Sequence, residues 1–222
     1  MSEFDGVNVT VTGAAGVLGT AVAEAFRAKG ATVTGIDIVS TDTTFTLHQA
    51  DLIDPEDARR VVAEIGQIDV LANIAGGFTM GDTVDSTSDE TWDFMYNLNV
   101  RTVFNMVRAV VPQMVDRQRG KIVNIGALNA LRGVGRMAAY SASKSVVIRL
   151  TESLSEELKT KNINVNCVLP SIIDTPRNRE DMPKANFSTW VTPEAMAKVV
   201  LFLASSDADP IHGASLPVTG LA

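Results

Sequence analysis

The chain of 222 residues is 45% apolar and 20% charged and carries a formal net charge of −7, the balance of one folded globular domain. That acidity excludes a phosphate-backbone binder, which needs a basic face, so no nucleic-acid partner is expected. No run approaches the 18 apolar residues of a bilayer span, and the short acidic start Met1-Ser2-Glu3-Phe4-Asp5 does not read as a secretory signal. A cytoplasmic chain without a membrane partner is expected. The one cysteine, Cys167, excludes an intramolecular disulfide, and its apolar surroundings read as those of a buried thiol. Two histidines, His48 and His212, stand apart from any carboxylate or cysteine cluster, so no metal site is expected.

Along the chain, short β-rich runs alternate with longer helical periodicities, the pattern of an α/β, mostly parallel seven-stranded sheet covered on both faces. Val7 to Val11 reads as the first strand. Val17, Leu18, Ala21, Val22, Ala25 and Phe26 then repeat at helical spacing, and Gly30 closes that helix. Strands are expected over Ala31 to Asp37 and Thr44 to Gln49. A helix opens at Asp54-Pro55-Glu56-Asp57, with an Asp cap, Pro in the first turn and acids at the positive dipole end. A fourth strand over Asp69 to Asn73 precedes a long helix around Val100 to Arg117. Lys121 to Ile125 is a fifth strand, Ala139 to about Lys161 a second long helix, and Asn164 to Leu169 a sixth strand. Thr192-Pro193-Glu194 starts a final helix, and Ala214 to Thr219 is a last strand, whose Pro217 suits an edge. Nothing breaks the run, so residues 1–222 read as one Rossmann-type doubly wound domain, with a short substrate-lid segment at about 174–192.

Thr12-Gly13-Ala14-Ala15-Gly16-Val17-Leu18-Gly19 lies between the first strand and its helix. Glycines there let the backbone turn tightly and approach a pyrophosphate, while the helix N-terminus offers free N–H groups. Asp37 ends the second strand 18 residues after Gly19. A carboxylate there accepts hydrogen bonds from the ribose hydroxyls and repels a 2′-phosphate. No Lys or Arg follows Asp37 before residue 59, so NAD(H) is favoured over NADP(H). A solvated strand-end aspartate is the alternative for that position.

Gly13/Gly16/Gly19, Asp51-Leu52, Asn73-Ile74-Ala75-Gly76, Asn99-Val100 and Tyr140-Ser141-Ala142-Ser143-Lys144 occur in one order along the chain. Together they resemble the short-chain dehydrogenase/reductase family over nearly the whole length. The resemblance implies an NAD(P)-dependent oxidoreductase. It places Asp51 and Leu52 at the adenine, Asn73, Ala75 and Gly76 behind the cofactor, and Pro170, Ile172 and Thr175 at the nicotinamide or pyrophosphate. Asn99 would hold a water linking Lys144 to solvent, and Tyr140 and Lys144 would be the catalytic pair. The chemistry has its own logic. Tyrosine has an ordinary pKa near 10, and an ammonium four residues on shares its helical face, favours the phenolate and lowers that pKa. Tyr140 is then the proton donor in reduction, or the acceptor in oxidation.

One position departs from the family. A catalytic serine is usual 13 residues before the tyrosine, after the strand read here as Gly120-Lys121-Ile122-Val123-Asn124-Ile125; Ala127 stands there instead. Asn129 is a candidate substitute. The segment Asp174-Thr175-Pro176-Arg177-Asn178-Arg179, Met182-Pro183, Ala185 and Phe187-Ser188-Thr189-Trp190 resembles the dihydropteridine reductase branch, which lacks that serine. The stretch Thr79 to Trp92 shows little of that branch. Met182, Phe187 and Trp190 either form an apolar lid over a flat ring or pin the loop to the body. Three readings stay open. One is an NADH-dependent reductase of an electron-poor ring or carbonyl, quinonoid dihydropterin among them. The second is an alcohol or 3-oxoacyl oxidoreductase, and the third an idle dinucleotide-binding sensor. The two long helices carry more apolar surface than one sheet face needs, and by resemblance a homodimer or homotetramer is expected.

Overall fold

In a computed structural model of the chain, describing residues 3–222, seven strands form one sheet in the order β3-β2-β1-β4-β5-β6-β7. They are β1 Asn8–Thr12, β2 Thr32–Asp37, β3 Thr46–Gln49, β4 Val70–Asn73, β5 Gly120–Ile125, β6 Ile163–Pro170 and β7 Ser215–Val218. Every neighbouring pair is parallel, so "mostly parallel" becomes wholly parallel. Pro217 falls in β7 at one edge, where its missing N–H costs no ladder bond.

Both faces of such a sheet must be apolar, because helices cover both. On one face α1 (Val17–Ala28) and α7 (Pro193–Ala204) bury Val22, Phe26, Met196 and Val200 against Val9, Val11, Ala72 and Val123. On the other, α2 (Pro55–Ile65) and α4 (Thr102–Arg117) bury Val61, Met106, Val110 and Met114 against Leu71, Ile122 and Val165. The long α5 (Ala138–Leu158) packs Val147 and Ile148 on Cys167 and Leu169 of β6. The caps read from sequence are present: Asp54 accepts from Glu56 N–H at 2.9 Å, with Pro55 in the first turn of α2.

The region before α4 differs from the expectation. An unforeseen helix, α3 (Asp89–Tyr96), is capped by Ser88, and a π-helical turn over Asn97–Arg101 joins it to α4. The single helix expected from Val100 thus begins at Thr102. The apolar periodicity of α4 extrapolates backward without revealing the extra residue that a π-turn inserts. No described helix is long and apolar enough to cross a membrane.

Chain order runs outward from β1 through β2 to β3, then returns to β4 on the other side of β1. The carboxyl ends of β1 and β4 therefore flank the point where strand order reverses, the crevice in which ligands bind in such sheets.

Candidate active site

At that crevice the glycine turn is shaped by its own backbone. Gly13 has φ +64, and a Cβ there would lie 2.9 Å from Ala75 Cα. At Gly19 a Cβ would fall 2.0 Å from Gly13 O. No side chain fits at either position. Gly16 caps α1 without any side-chain hydrogen bond, and the first turn of α1 contains no acid. Its N–H groups and positive dipole end are thus left for an anion. Thr12 Oγ1 braces the neighbouring turn by accepting from Ile74 and Ala75 N–H, each at 3.0 Å. Val17 is exposed at the groove, whereas Leu18 is half-buried and packs on the core.

Asp37 lies at the end of β2, as expected, and is already engaged. One carboxylate oxygen accepts from Ala15 N–H at 3.0 Å and the other from Val39 N–H at 3.2 Å. It therefore ties the glycine turn to β2, a role the sequence did not reveal. Asp51 is exposed, with Oδ1 accepting from Ile53 N–H at 2.9 Å. Leu52 is buried, and its carbonyl accepts from the Asn105 side chain at 2.9 Å. Asn73, at the end of β4, donates to Asn124 at 2.8 Å while its own Oδ1, also buried, has no partner. These groups fit a dinucleotide. The turn excludes side chains, the helix start is uncapped, and a carboxylate closes β2.

The residues expected at the reactive centre come from the π-turn, the loop after β4 and α5. The π-turn buries Asn99 completely; its Oδ1 accepts from Gly77 N–H at 2.9 Å, and its Nδ2 donates to Gly77 O and to Ser143 Oγ, each at 3.1 Å. Lys144, 5% exposed on α5, donates from Nζ to Ile125 O at 2.8 Å. A Cβ on Gly76 would come within 2.8 Å of Asn99 Oδ1 and 3.0 Å of Lys144 Nζ. Glycine at 76 is what lets both approach the same spot.

The expected electrostatics are corrected here. Tyr140 is not lowered by Lys144; burial pushes its phenol up to about 12. Burial also brings the Lys144 ammonium down to about 8, with Cys167 opposing. The Nζ is held by the Ile125 carbonyl, and low-dielectric surroundings disfavour the charged form of each group. Spacing along the helix gives the shared face of Tyr140 and Lys144 but not their burial. Cys167 is a buried free thiol, as expected, raised to about 11 by burial.

Ala127 is 3% exposed and offers no hydroxyl. Asn129 turns its Nδ2 toward Met137 Sδ at 3.6 Å. The neighbouring Gly126 has a structural reason: a Cβ there would sit 2.6 Å from Leu169 and 3.0 Å from Cys167 Sγ.

Beyond β6, whose last residue is Pro170, Ile172 is half-buried and Thr175 caps the short α6 (Pro176–Asp181) by accepting from Asn178 N–H at 3.2 Å. Of the three apolar residues in this segment, Trp190 is buried at 7% exposure and belongs to the body. Its neighbours are fixed from outside, since Leu221 N–H donates to Thr189 O at 2.9 Å. Phe187 packs tilted against Trp190, with centroids 4.8 Å apart, and lies beneath the Arg179 guanidinium at 4.9 Å, while Arg179 forms a two-point pair with Asp174 at 2.6 and 2.7 Å. Of the two readings of Trp190, lid or pin, its burial favours the pin. Sequence reading also missed Phe78, whose ring meets Tyr140 edge-to-face.

A family model described as short chain dehydrogenase matches residues 7–186. A 3-oxoacyl-[acyl-carrier-protein] reductase of Thermotoga maritima is 32% identical over 243 residues, covering 98% of each chain. The 2-dehydro-3-deoxy-D-gluconate 5-dehydrogenase of Escherichia coli is 32% identical over 98% of this chain and 96% of its own. Among solved structures, a short chain dehydrogenase/reductase family protein superposes with a TM-score of 0.90 at 29% identity, covering 98% of this chain and 97% of its own. A putative 2-deoxy-D-gluconate 3-dehydrogenase from Agrobacterium tumefaciens, solved with NADP, gives 0.89 at 30% identity, covering 97% and 96%. The chain belongs to the short-chain dehydrogenase/reductase family and is an NAD(P)-dependent oxidoreductase.

Proposed function

We propose that the protein is an NADH-dependent reductase of an electron-poor ring or carbonyl, with a quinonoid dihydropterin as the leading substrate. The observation that carries this reading is the pairing of a protonated Tyr140 with a buried, hydroxyl-free Ala127. A substrate whose ring already draws electrons needs one proton and no second donor at a developing oxyanion. In the proposed assignment Gly13, Gly16, Gly19 and the start of α1 hold the pyrophosphate, Asp37 the adenosine ribose, and Asp51 and Leu52 the adenine end. Asn73, Ala75, Gly76, Pro170, Ile172 and Thr175 line the nicotinamide side. A nicotinamide bound there supplies the hydride. Tyr140 delivers the proton from its hydroxyl, and Lys144 holds the ribose. Asn99 fixes the Gly76–Gly77 backbone beside Lys144. Asp37 supports the choice of NADH, because a 2′-phosphate would face a carboxylate and no nearby cation follows it in the chain.

Turnover measured over quinonoid dihydropterin, cyclic ketones and 3-oxoacyl thioesters tests the substrate class. The electron-poor ring should give the highest kcat/KM. A second reading, a 3-oxoacyl reductase, is favoured by the name of the Thermotoga maritima relative; it is selected if the thioesters win. Restoring the hydroxyl with Ala127→Ser should raise reduction of an unactivated ketone by about tenfold or more, since one oxyanion donor is worth on the order of 10²–10³ in rate. An unchanged ketone rate would show that another group already donates.

The pH profile follows from the two buried groups. Tyr140 stays protonated through neutral pH, so it enters reduction as the acid. Lys144, lowered to about 8, loses its charge as pH rises through that value. Reductive kcat/KM of the free enzyme should therefore be level below about pH 8 and fall above it. In Lys144→Arg the side chain stays charged and the inflection should vanish. An inflection that persists there belongs to another group.

A further inference from the structure

The loop after β4 carries a contact that the proton relay does not require. Phe78 sets its ring edge-to-face against Tyr140, with centroids 4.8 Å apart and planes at 85°. It nevertheless remains 48% exposed. No described protein group hydrogen-bonds the Tyr140 hydroxyl, so packing sets the angle of that ring. The loop is also fastened across to the segment leading into α5. Gly81 N–H donates to Arg136 O at 3.0 Å, and Arg136 Nη1 donates back to Gly81 O at 2.9 Å. Arg136 holds φ +63, a left-handed conformation uncommon for a non-glycine residue, and Gly81 holds φ +141. Each fastened segment presents an exposed apolar side chain, Met80 on one and Leu131 on the other.

We propose that Phe78, held by the Gly81–Arg136 clasp, positions Tyr140 and selects flat conjugated rings over flexible aliphatic carbonyls. The exposed part of an aromatic side chain offers a π-surface on which a planar electron-poor ring stacks, whereas an aliphatic chain gains only apolar contact. Removing Phe78 takes away both the platform and one wall of the Tyr140 site. The selectivity half of this inference rests on the ring-reductase reading; the positioning half does not.

Phe78→Ala, Phe78→Leu and Phe78→Tyr separate the two halves. An edge-to-face aromatic contact accounts for about two- to tenfold. Phe78→Ala should therefore lower kcat on ring and aliphatic substrates alike by about that factor, because Tyr140 donates to both, and raise KM by about that factor for the ring substrate alone. Phe78→Leu should behave like Phe78→Ala, and Phe78→Tyr should restore the ring rate. NADH affinity, the control for folding, should stay within about twofold throughout. The Tyr140 titration, read as the tyrosinate absorbance lost on adding Tyr140→Phe in each background, should move down from about 12 toward the ordinary value in Phe78→Ala. An equal rise in KM for ring and aliphatic substrates overturns the selectivity claim, and an unmoved Tyr140 titration overturns the positioning claim. If the wild-type protein reduces neither class, the ring-reductase reading and the selectivity claim fail together. The titration alone then decides the role of Phe78 in positioning.

Discussion

Tyr140→Phe is expected to lower kcat for the ring substrate by about 10²–10⁴-fold while leaving NADH affinity nearly unchanged, because general-acid transfer contributes on that order. The prediction is sharper here than where a serine hydroxyl stands beside the tyrosine. Ala127 is buried and has no donor, and Asn129 is turned to Met137. No second side chain shown at the site is placed to take over the proton. Phenylalanine keeps the ring that Phe78 packs against, so the loss isolates the hydroxyl. Steady-state turnover together with a fluorescence titration of NADH checks it. A Tyr140→Phe enzyme that works at the wild-type rate would remove Tyr140 from the chemistry altogether.

The second large effect belongs to the glycine turn. Gly19→Ala is expected to weaken NADH binding by about tenfold to a hundredfold or more. Its Cβ would lie 2.0 Å from Gly13 O, 2.7 Å from Gly13 C and 2.8 Å from Ala14 Cα, all backbone atoms that no rotamer change can move aside. Overpacking of a tight site commonly costs 1–3 kcal/mol, and here the strain must displace the turn that approaches the pyrophosphate. Gly133→Ala serves as the control. A Cβ there meets nothing within 4 Å, so NADH affinity should stay within about twofold. Equal affinities in the two variants would mean that the turn does not cradle the dinucleotide.

Much of this was legible in the sequence for physical reasons. Strands buried on both faces read as short apolar runs, and their alternation with helical periods gives a parallel sheet before any contact is known. Gly13 and Gly19 are dictated locally, by a turn that no side chain can enter. Tyr140 and Lys144 are one helical turn apart on α5, so their shared face follows from spacing. What stayed hidden depends on residues far apart in the chain. The π-turn that buries Asn99 leaves no periodic trace, and Phe78 meets Tyr140 only because β4 and α5 converge at the crevice. The sequence leaves Trp190 open between lid and pin because burial is set by tertiary packing; at 7% exposure it belongs to the body. The Tyr140 phenol moved opposite to expectation because burial of both partners outweighs the helical proximity of one charge. Asp37 was expected to face a ribose; its bonds to Ala15 and Val39 show a part in shaping the turn that spacing does not reveal.

Mixing the wild-type protein with quinonoid dihydropterin and either NADH or NADPH, and following the nicotinamide absorbance, is the most direct test of the proposed activity. The expected result is one NADH consumed per ring reduced, with kcat/KM for NADH well above that for NADPH. Turnover confined to NADPH, or NADH bound but never oxidised by this ring, would contradict it.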